Sequence, residues 1–315
     1  MKEKNVKKLL GNYGSSLIPC IGLFLLIIVF SLTTQGKFLS VRNFKNLIGQ
    51  CMVTMVTASG TIFVMAHGNM DFSLGGGAAL VATLTYLVTG GKNTVLVLVV
   101  CIFLGIGCGL FTAIIHVVGK VPCFLAGMAM MFIGRGVCQG IAATRPMSLS
   151  VAVLEHASNS FYFTCVIIVF ALAVLIYNFT RIGKNERYIG ANQNTAELTG
   201  ISIDLYKTLA FIISGITLGV ATFLLMLRGS GVSITLGTNL ESDTMIALIL
   251  GGVPLTGGAN AKISAVPVGV LTYYVLNNGL TIWGLDASII DLIKGIIFII
   301  VVFVSMDRKS IKFVP

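Results

Sequence analysis

The chain has 315 residues, 56% of them hydrophobic and only 10% charged, with a mean hydropathy of +0.97. An average soluble protein carries roughly 25% charged residues, so the polar surface needed to coat a water-soluble globule is missing. The net charge of +10, from 21 Lys and Arg against 11 Asp and Glu, reads in such a chain as basic loops on one side of a membrane and not as nucleic-acid binding.

Each helical span needs about 20 mostly apolar residues, so ten spans would use roughly 200 residues and leave no room for a soluble catalytic domain. Apolar runs bounded by breakers predict ten helices near 16–33, 47–66, 73–90, 94–118, 121–141, 161–180, 207–228, 244–254, 262–279 and 287–305. The predicted fold class is all-α: a polytopic integral membrane protein of about ten transmembrane helices with broken or re-entrant segments. Residues 1–315 read as one transmembrane domain. The first run follows four lysines and resembles a secretory signal, but Ser31-Leu-Thr-Thr-Gln35 offers no small-residue cleavage site, so it is expected to stay as a span. The eighth run is too short to cross alone and is expected to be broken, tilted or to begin earlier.

Ten crossings put both termini on the same side. With the N-terminus in the cytoplasm, thirteen Lys and Arg are cytoplasmic: Lys2, Lys4, Lys7, Lys8, Lys120, Arg181, Lys184, Arg187, Lys207, Lys262, Arg308, Lys309 and Lys312. Six are external: Lys37, Arg42, Lys45, Lys92, Arg145 and Arg228. The bias predicts N- and C-termini in the cytoplasm, with the cluster at Lys37, Arg42 and Lys45 standing against it.

Charges within spans are few, which argues against proton or sodium coupling. Arg135 is the most isolated, with a pore role and lipid snorkelling both open. Asp291 and Lys294 are spaced to pair on one helix face. The glycine pairs Gly105/Gly109, Gly136/Gly140 and Gly215/Gly219 suit close helix packing. The seven cysteines lie in or beside apolar runs without C-x-x-C spacing and read as small packing residues.

No catalytic constellation is present: no His-Glu-x-x-His, no Gly-x-Ser-x-Gly, no paired carboxylates in a polar setting. His67, His116 and His156 are scattered and read as membrane-interface residues. Every Gly-Lys pair is followed by Phe38, Asn93, Val121 or Asn185, never by Ser or Thr, so no phosphate-binding P-loop exists. The chain is expected to be no enzyme and to carry no cofactor or metal.

Three polar interruptions remain. In Ala66-His-Gly-Asn-Met-Asp-Phe-Ser-Leu-Gly-Gly-Gly77, Asp71 and Ser73 suit capping of the next helix. The break is either part of a translocation path or a capped turn, because bare backbone at membrane depth is tolerated only in protein or along a wet path. Gly251-Gly-Val-Pro-Leu-Thr-Gly-Gly-Ala-Asn-Ala-Lys262, with Asn277-Asn-Gly279 beyond the next span, predicts a tight re-entry turn. The stretch Thr180–Lys207 is long for a connection. Within it Asn194-Thr-Ala-Glu-Leu198, followed by Gly200, predicts a short helix with an Asn or Thr cap and a glycine stop, suited to docking a soluble partner.

Taken together, Gly68-Asn-Met-Asp-Phe-Ser-Leu-Gly75, Tyr188 to Ile201, Gly251-Gly-Val-Pro-Leu-Thr-Gly-Gly258 and Leu276-Asn-Asn-Gly-Leu280 resemble the permease subunit of bacterial ribose-type ABC sugar importers, the ribose, xylose, galactose and autoinducer-2 group. The motifs come in the family's order and extend over about residues 45–305. The resemblance implies a single transmembrane permease domain in the bacterial cytoplasmic membrane, with 181–206 as a cytoplasmic loop holding an ATPase-docking helix. It implies three partners: a cytoplasmic ABC ATPase with two nucleotide-binding modules that uses ATP and magnesium, an extracytoplasmic sugar-binding protein, and a second permease chain, most simply a copy of this one. Asn194, Thr195, Ala196, Glu197, Leu198 and Gly200 are then the ATPase-coupling residues. Asn69, Asp71, Ser73, Asn277 and Asn278 are the translocation-path or helix-break residues. Two departures bear on the substrate: Asn69 stands where the family has a second glycine, and where the family's second loop continues Gly-Gly-x-Gly-Ser, here Ala259-Asn-Ala-Lys-Ile-Ser264 follows the glycines. The implied function is inward transport of a ribose-like monosaccharide by alternating access. The alternatives are an ABC permease for nucleosides or branched-chain amino acids and a stand-alone secondary carrier.

Overall fold

A computed structural model of the chain describes residues 2–155 and 158–305. His156, Arg308, Lys309 and Lys312 lie outside the described residues. The helices are, in chain order, α1 (Lys2–Thr33), α2 (Val41–Ala66), α3 (Leu74–Thr89), α4 (Thr94–Ala113), α5 (Cys123–Ala142), α6 (Val151–Leu154), α7 (Asn159–Phe179), α8 (Arg181–Ala191), α9 (Gln193–Leu198), α10 (Ile203–Arg228), α11 (Leu240–Leu250), α12 (Ala265–Ile282) and α13 (Ala287–Ser305). A π-helical turn, Ile114–Val118, extends α4. Two short strands, β1 (Met147–Ser148) and β2 (Gly231–Val232), pair antiparallel and tie two connecting segments together.

All ten apolar runs are helical. Among the described residues, five helices are long and apolar enough to cross a membrane by length and composition: α2, α4 with its π turn, α5, α7 and α10. The chain is an all-α, multi-pass membrane protein. Starts follow local chemistry: Ser40, Asn93 and Ser158 each accept a backbone N–H three residues on, opening α2, α4 and α7. Gly90, in the left-handed region at φ +63°, closes α3.

Two helices form the centre. The most apolar windows of α2 and α10 are 78% and 72% buried, against 28% for α4 and α5 and 17% for α7. The residues of α2 explain its place. Thr57, Ser59 and Thr61 donate their hydroxyls to carbonyls one turn back, so a small, polar face enters the interior without orphaned groups. A Cβ at Gly60 would lie 2.0 Å from Thr217 Oγ1, so α10 rides directly on this face.

Glycines set the other close approaches. A Cβ at Gly105 would stand 2.3 Å from Gly215 O, and one at Gly219 would stand 2.5 Å from Cys101 O, so α4 and α10 touch backbone to backbone. Gly76 and Gly134 do the same for α3 and α5. The predicted pair Gly136/Gly140 differs: nothing among the described residues lies within 4 Å of the space a Cβ would take at either. Asp291 accepts from Lys294 Nζ at 3.1 Å on α13, as its spacing predicts, and the same ammonium sits 5.1 Å from the centre of the Tyr273 ring on α12.

The eighth run begins earlier than its apolar core, at Leu240, yet α11 has only 11 residues, about 16 Å of helix. It cannot cross the membrane. The preceding chain, 229–239, leaves the end of α10, pairs with β1, and descends into the bundle until Gly237 and Glu241 meet Gly75 at the start of α3. Gly76 in turn lies against Met131 and Gly134, the middle of α5. The starts of two short helices, α3 and α11, therefore meet inside the bundle.

Candidate translocation and coupling site

The α2–α3 break is held at four points. Asp71 is buried; its Oδ1 accepts the Ser73 N–H at 2.9 Å and the Ser73 hydroxyl at 2.5 Å, and its Oδ2 accepts from Ser214 Oγ on α10 at 3.3 Å. The Ser73 side chain makes no cap to the helix it precedes. Of the two predicted capping residues, Asp71 takes up the backbone donor and Ser73 is satisfied by Asp71. Asn69 donates through Nδ2 to His116 Nε2 at 2.8 Å, and His116 donates through Nδ1 to Val121 O at 2.8 Å. Cys123 Sγ donates to Met70 O at 3.1 Å.

His67 begins the break and is buried. Its Nδ1 lies 2.7 Å from Glu186 Oε2 on α8, with both side chains fully buried. His67 is thus a buried residue with a named partner, which the sequence did not suggest, and the half-buried His116 also has partners. Their neighbours in the chain are apolar or glycine and give no hint of partners 119 and 47 residues away. His67 Nε2 and Glu186 Oε1 have no hydrogen-bond partner among the described residues. Burial pushes the Glu186 carboxyl well above its ordinary range, with Lys207 opposing. Burial likewise holds the His67 imidazole down to about 3, helped by Lys207 and His116. A bare carboxylate here would be costly, so the pair keeps one proton between its facing atoms.

That proton has a measurable sign. In the unfolded chain the acid and the imidazole are both deprotonated above about pH 6.5, whereas the folded pair retains one proton. Folding then takes up a proton, and stability falls as pH rises above that value, by at most about 1.4 kcal/mol per pH unit. Thermal unfolding in detergent from pH 6.5 to 8.5 is expected to show this fall, and the Glu186→Gln variant is expected to lose most of it. Parallel curves for the two proteins would contradict the one-proton pair.

Three segments converge beside His67. Gly258 N–H donates to Ala66 O at 2.8 Å. A Cβ at Gly190 would lie 2.0 Å from Ala66 O and 2.6 Å from Gly258 N, and one at Gly68 would lie 2.8 Å from Thr256 O. Gly257 and Gly258 have φ of +69° and +90°, so the glycines in this turn serve both backbone angle and close approach. The predicted re-entry turn 251–262 thus packs on the α2–α3 break and on the end of α8.

The predicted short helix is α9. It begins one residue before Asn194, and its cap is Asn192, whose Oδ1 accepts the Thr195 N–H at 3.0 Å. Gly200 at φ +83° ends it. Asn194, Thr195, Glu197 and Gly200 are exposed, and Leu198 is 88% exposed. Ala196 alone points inward, into a small apolar cluster with Ile189 and Ile203 that is separate from the two large cores. The sequence reading kept Asn69, Asp71 and Ser73 apart from Asn194–Gly200 as two groups; the structure brings both to one end of the bundle, joined through α8.

Asn277 and Asn278 lie elsewhere. Asn278 exchanges two amide hydrogen bonds with Asn43, at 2.8 and 2.9 Å, locking α12 to the first turn of α2. Asn43 stands about 35 Å along α2 from the break. Asn277 is half-buried beside it. Arg135 has a structural partner: its guanidinium donates to Leu236 O at 2.7 Å and Gly237 O at 2.6 Å, anchoring the descending chain 229–239. Sequence reasoning missed this descent. Its signal was length, since helix connections in bundles usually take about 2–8 residues.

The chain was compared with known proteins. A family model described as branched-chain amino acid transport system / permease component matches residues 43–302. The chain is similar to the ribose import permease protein RbsC of Escherichia coli (strain K12), 27% identical over 92% of this chain and 93% of that protein. It is similar to the xylose transport system permease protein XylH of Haemophilus influenzae (strain ATCC 51907 / DSM 11121 / KW20 / Rd), 24% identical over 93% and 96%. The galactofuranose transporter permease protein YtfT of Escherichia coli (strain K12) matches at 27% over 84% and 79%. No solved structure matches. With a model that spans most of the ten apolar runs, both helix breaks and the α8–α9 segment, the chain belongs to this family of transport-system permease components.

Proposed function

We propose that the chain is the transmembrane subunit of an ATP-driven importer that moves a monosaccharide of ribose-like size inward across the bacterial cytoplasmic membrane. It performs no covalent chemistry. Two permease chains, most simply two copies of this one, alternate between outward- and inward-facing states as a cytoplasmic ATPase with two nucleotide-binding modules turns over ATP and magnesium. An extracytoplasmic binding protein delivers the sugar. Residues 1–315 form one permease domain, both termini are cytoplasmic, and 181–206 is the cytoplasmic loop. The sugar class is supported by relatives named for ribose, xylose and galactofuranose along nearly the whole chain.

The observation that carries the reading is the seating of α9. A helix with Leu198 bared to solvent rests on its own small apolar cluster, and its neighbour α8 is tied by Glu186 to His67 in the α2–α3 break. A force applied to α9 thus reaches the break between spans. Glu197 and Leu198 are the ATPase-contacting residues, with Asn194, Thr195, Ala196 and Gly200 shaping the helix that presents them.

Co-purification from native membranes tests this. The intact chain is expected to bring down an ATPase, and a Glu197→Arg, Leu198→Asp variant that still elutes as a folded protein is expected to lose it. Concentrative sugar uptake by the chain alone in liposomes without ATP would sink the reading in favour of a secondary carrier.

A further inference from the structure

At the end of the bundle opposite α9, where α2 begins and α10 finishes, two adjoining cavities of about 250 and 340 Å³ share Gln50, Val53 and Arg228. The larger reaches the size at which small-molecule pockets begin, about 300 Å³. It runs between α2, the end of α10, the descending chain 229–239, the first turn of α11 and the middle of α12. It therefore follows the path by which that chain enters the bundle, toward the meeting point of the short helices α3 and α11.

Its walls are polar in a particular way. Gln50 lines both cavities, and its Oε1 is buried with no hydrogen-bond partner among the described residues. An unpaired buried acceptor costs roughly 1–3 kcal/mol, so Gln50 has an unmet demand for a donor. Arg228 spends one Nη1 donor on Gly49 O at 3.2 Å. Thr54 Oγ1 and Tyr274 OH share a hydrogen bond at 2.6 Å. Asp243 accepts from the Tyr273 hydroxyl. Ser233 adds another hydroxyl from the descending chain. One guanidinium and one carboxyl oppose each other in sign, and the rest are amides and hydroxyls that both donate and accept.

We propose that this cavity is the first subsite for cargo on the permease, taking a neutral polyhydroxylated solute whose hydroxyls donate to Gln50 Oε1 and Asp243 and accept from Arg228. The proposal rests on the sugar-permease reading. It places the subsite apart from Asn69, Asp71 and Ser73, at the end where a delivered sugar would arrive. A strongly charged ligand would leave one of Arg228 and Asp243 opposed by its own sign.

The test uses the full complex in proteoliposomes, with ATPase and binding protein, and radiolabelled ribose and xylose as probes. Gln50→Leu removes the amide, and Arg228→Met removes the donors while keeping an unbranched stem. Each is expected to raise the cargo concentration for half-maximal uptake about tenfold, the factor that corresponds to about 1.4 kcal/mol. Retained ATPase co-purification and an unchanged elution profile show that each variant folds and assembles. As a second measurement, a Ser233→Cys chain is labelled from outside with a membrane-impermeant maleimide, and the transported sugar is expected to slow labelling. Wild-type uptake parameters in both variants, with labelling of Ser233→Cys indifferent to sugar, overturn the subsite and leave the importer reading standing. Failure of the wild-type complex to transport either sugar with ATP strikes the importer reading itself, and the subsite falls with it.

Discussion

Truncating Glu186 to Ala is expected to destabilise the protein by about 3 kcal/mol, the low end of what removing one partner of a buried pair costs. The low end applies because His67 remains as a neutral imidazole. Its Nδ1 loses its side-chain partner at 2.7 Å, and the space left behind opens between α8 and the α2–α3 break. The double change His67→Phe with Glu186→Leu is expected to recover most of the loss, since an apolar pair of similar volume needs no proton and no acceptor. Thermal unfolding of the purified chain in mild detergent measures both. If Glu186→Ala were within about 0.5 kcal/mol of wild type, the level of an ordinary surface change, the pair would not be a structural tie at all.

A second large effect is expected on α4, where two glycines two residues apart face opposite surroundings. A Cβ at Gly105 would meet Gly215 O at 2.3 Å and Gly219 N at 2.8 Å, whereas one at Gly107 would find nothing within 4 Å. Gly105→Leu pushes α4 off α10 through backbone atoms that cannot step aside, so its cost is expected at or above the upper end of the usual 1–3 kcal/mol for overpacking. Gly107→Leu, on the same helix and of the same size, is expected to change stability by no more than about 0.5 kcal/mol. Folded yield and thermal midpoint read out both, and equal losses would mean that α4 does not meet α10 through Gly105.

These cases mark where the sequence was readable. Ten apolar runs separated by polar or glycine-rich breaks gave the helices, because a lipid-facing helix must be apolar all along its length. The short α9 was readable too, since a local side-chain cap and a glycine stop need no distant partner. Gly105, Gly215 and Gly219 could be recognised as packing residues by spacing, although Gly136 and Gly140 share that spacing and a Cβ at either would meet nothing within 4 Å among the described residues. The ties between distant segments were not readable. His67 finds Glu186 at a separation of 119 residues, Asn43 finds Asn278 at 235, and Arg135 finds backbone carbonyls at 101 and 102. Each partner is polar in an unremarkable local setting, and only the three-dimensional arrangement says which polar groups pair. The descent of 229–239 hid for a related reason. Its Val232, Ile234 and Leu236 look like a ragged end to a span, while its turns depend on Ser230 and Asn239 at positive φ.

The facing starts of α3 and α11 have an electrical consequence. A helix start carries the equivalent of roughly half a positive charge, and two of them meet where Gly75 abuts Gly237 and Glu241. Carboxyl groups already stand at both: Asp71 in the turn before α3, and Glu241 and Asp243 in the first turn of α11. The protein's own carboxyl groups thus already occupy the positive poles that would otherwise be open to an anionic passenger. A solute without net charge crosses such an interior without doing work against the voltage across the membrane, which would be about 2.3 kcal/mol per elementary charge at 100 mV. Passage of such a solute is then indifferent to whether the membrane is polarised.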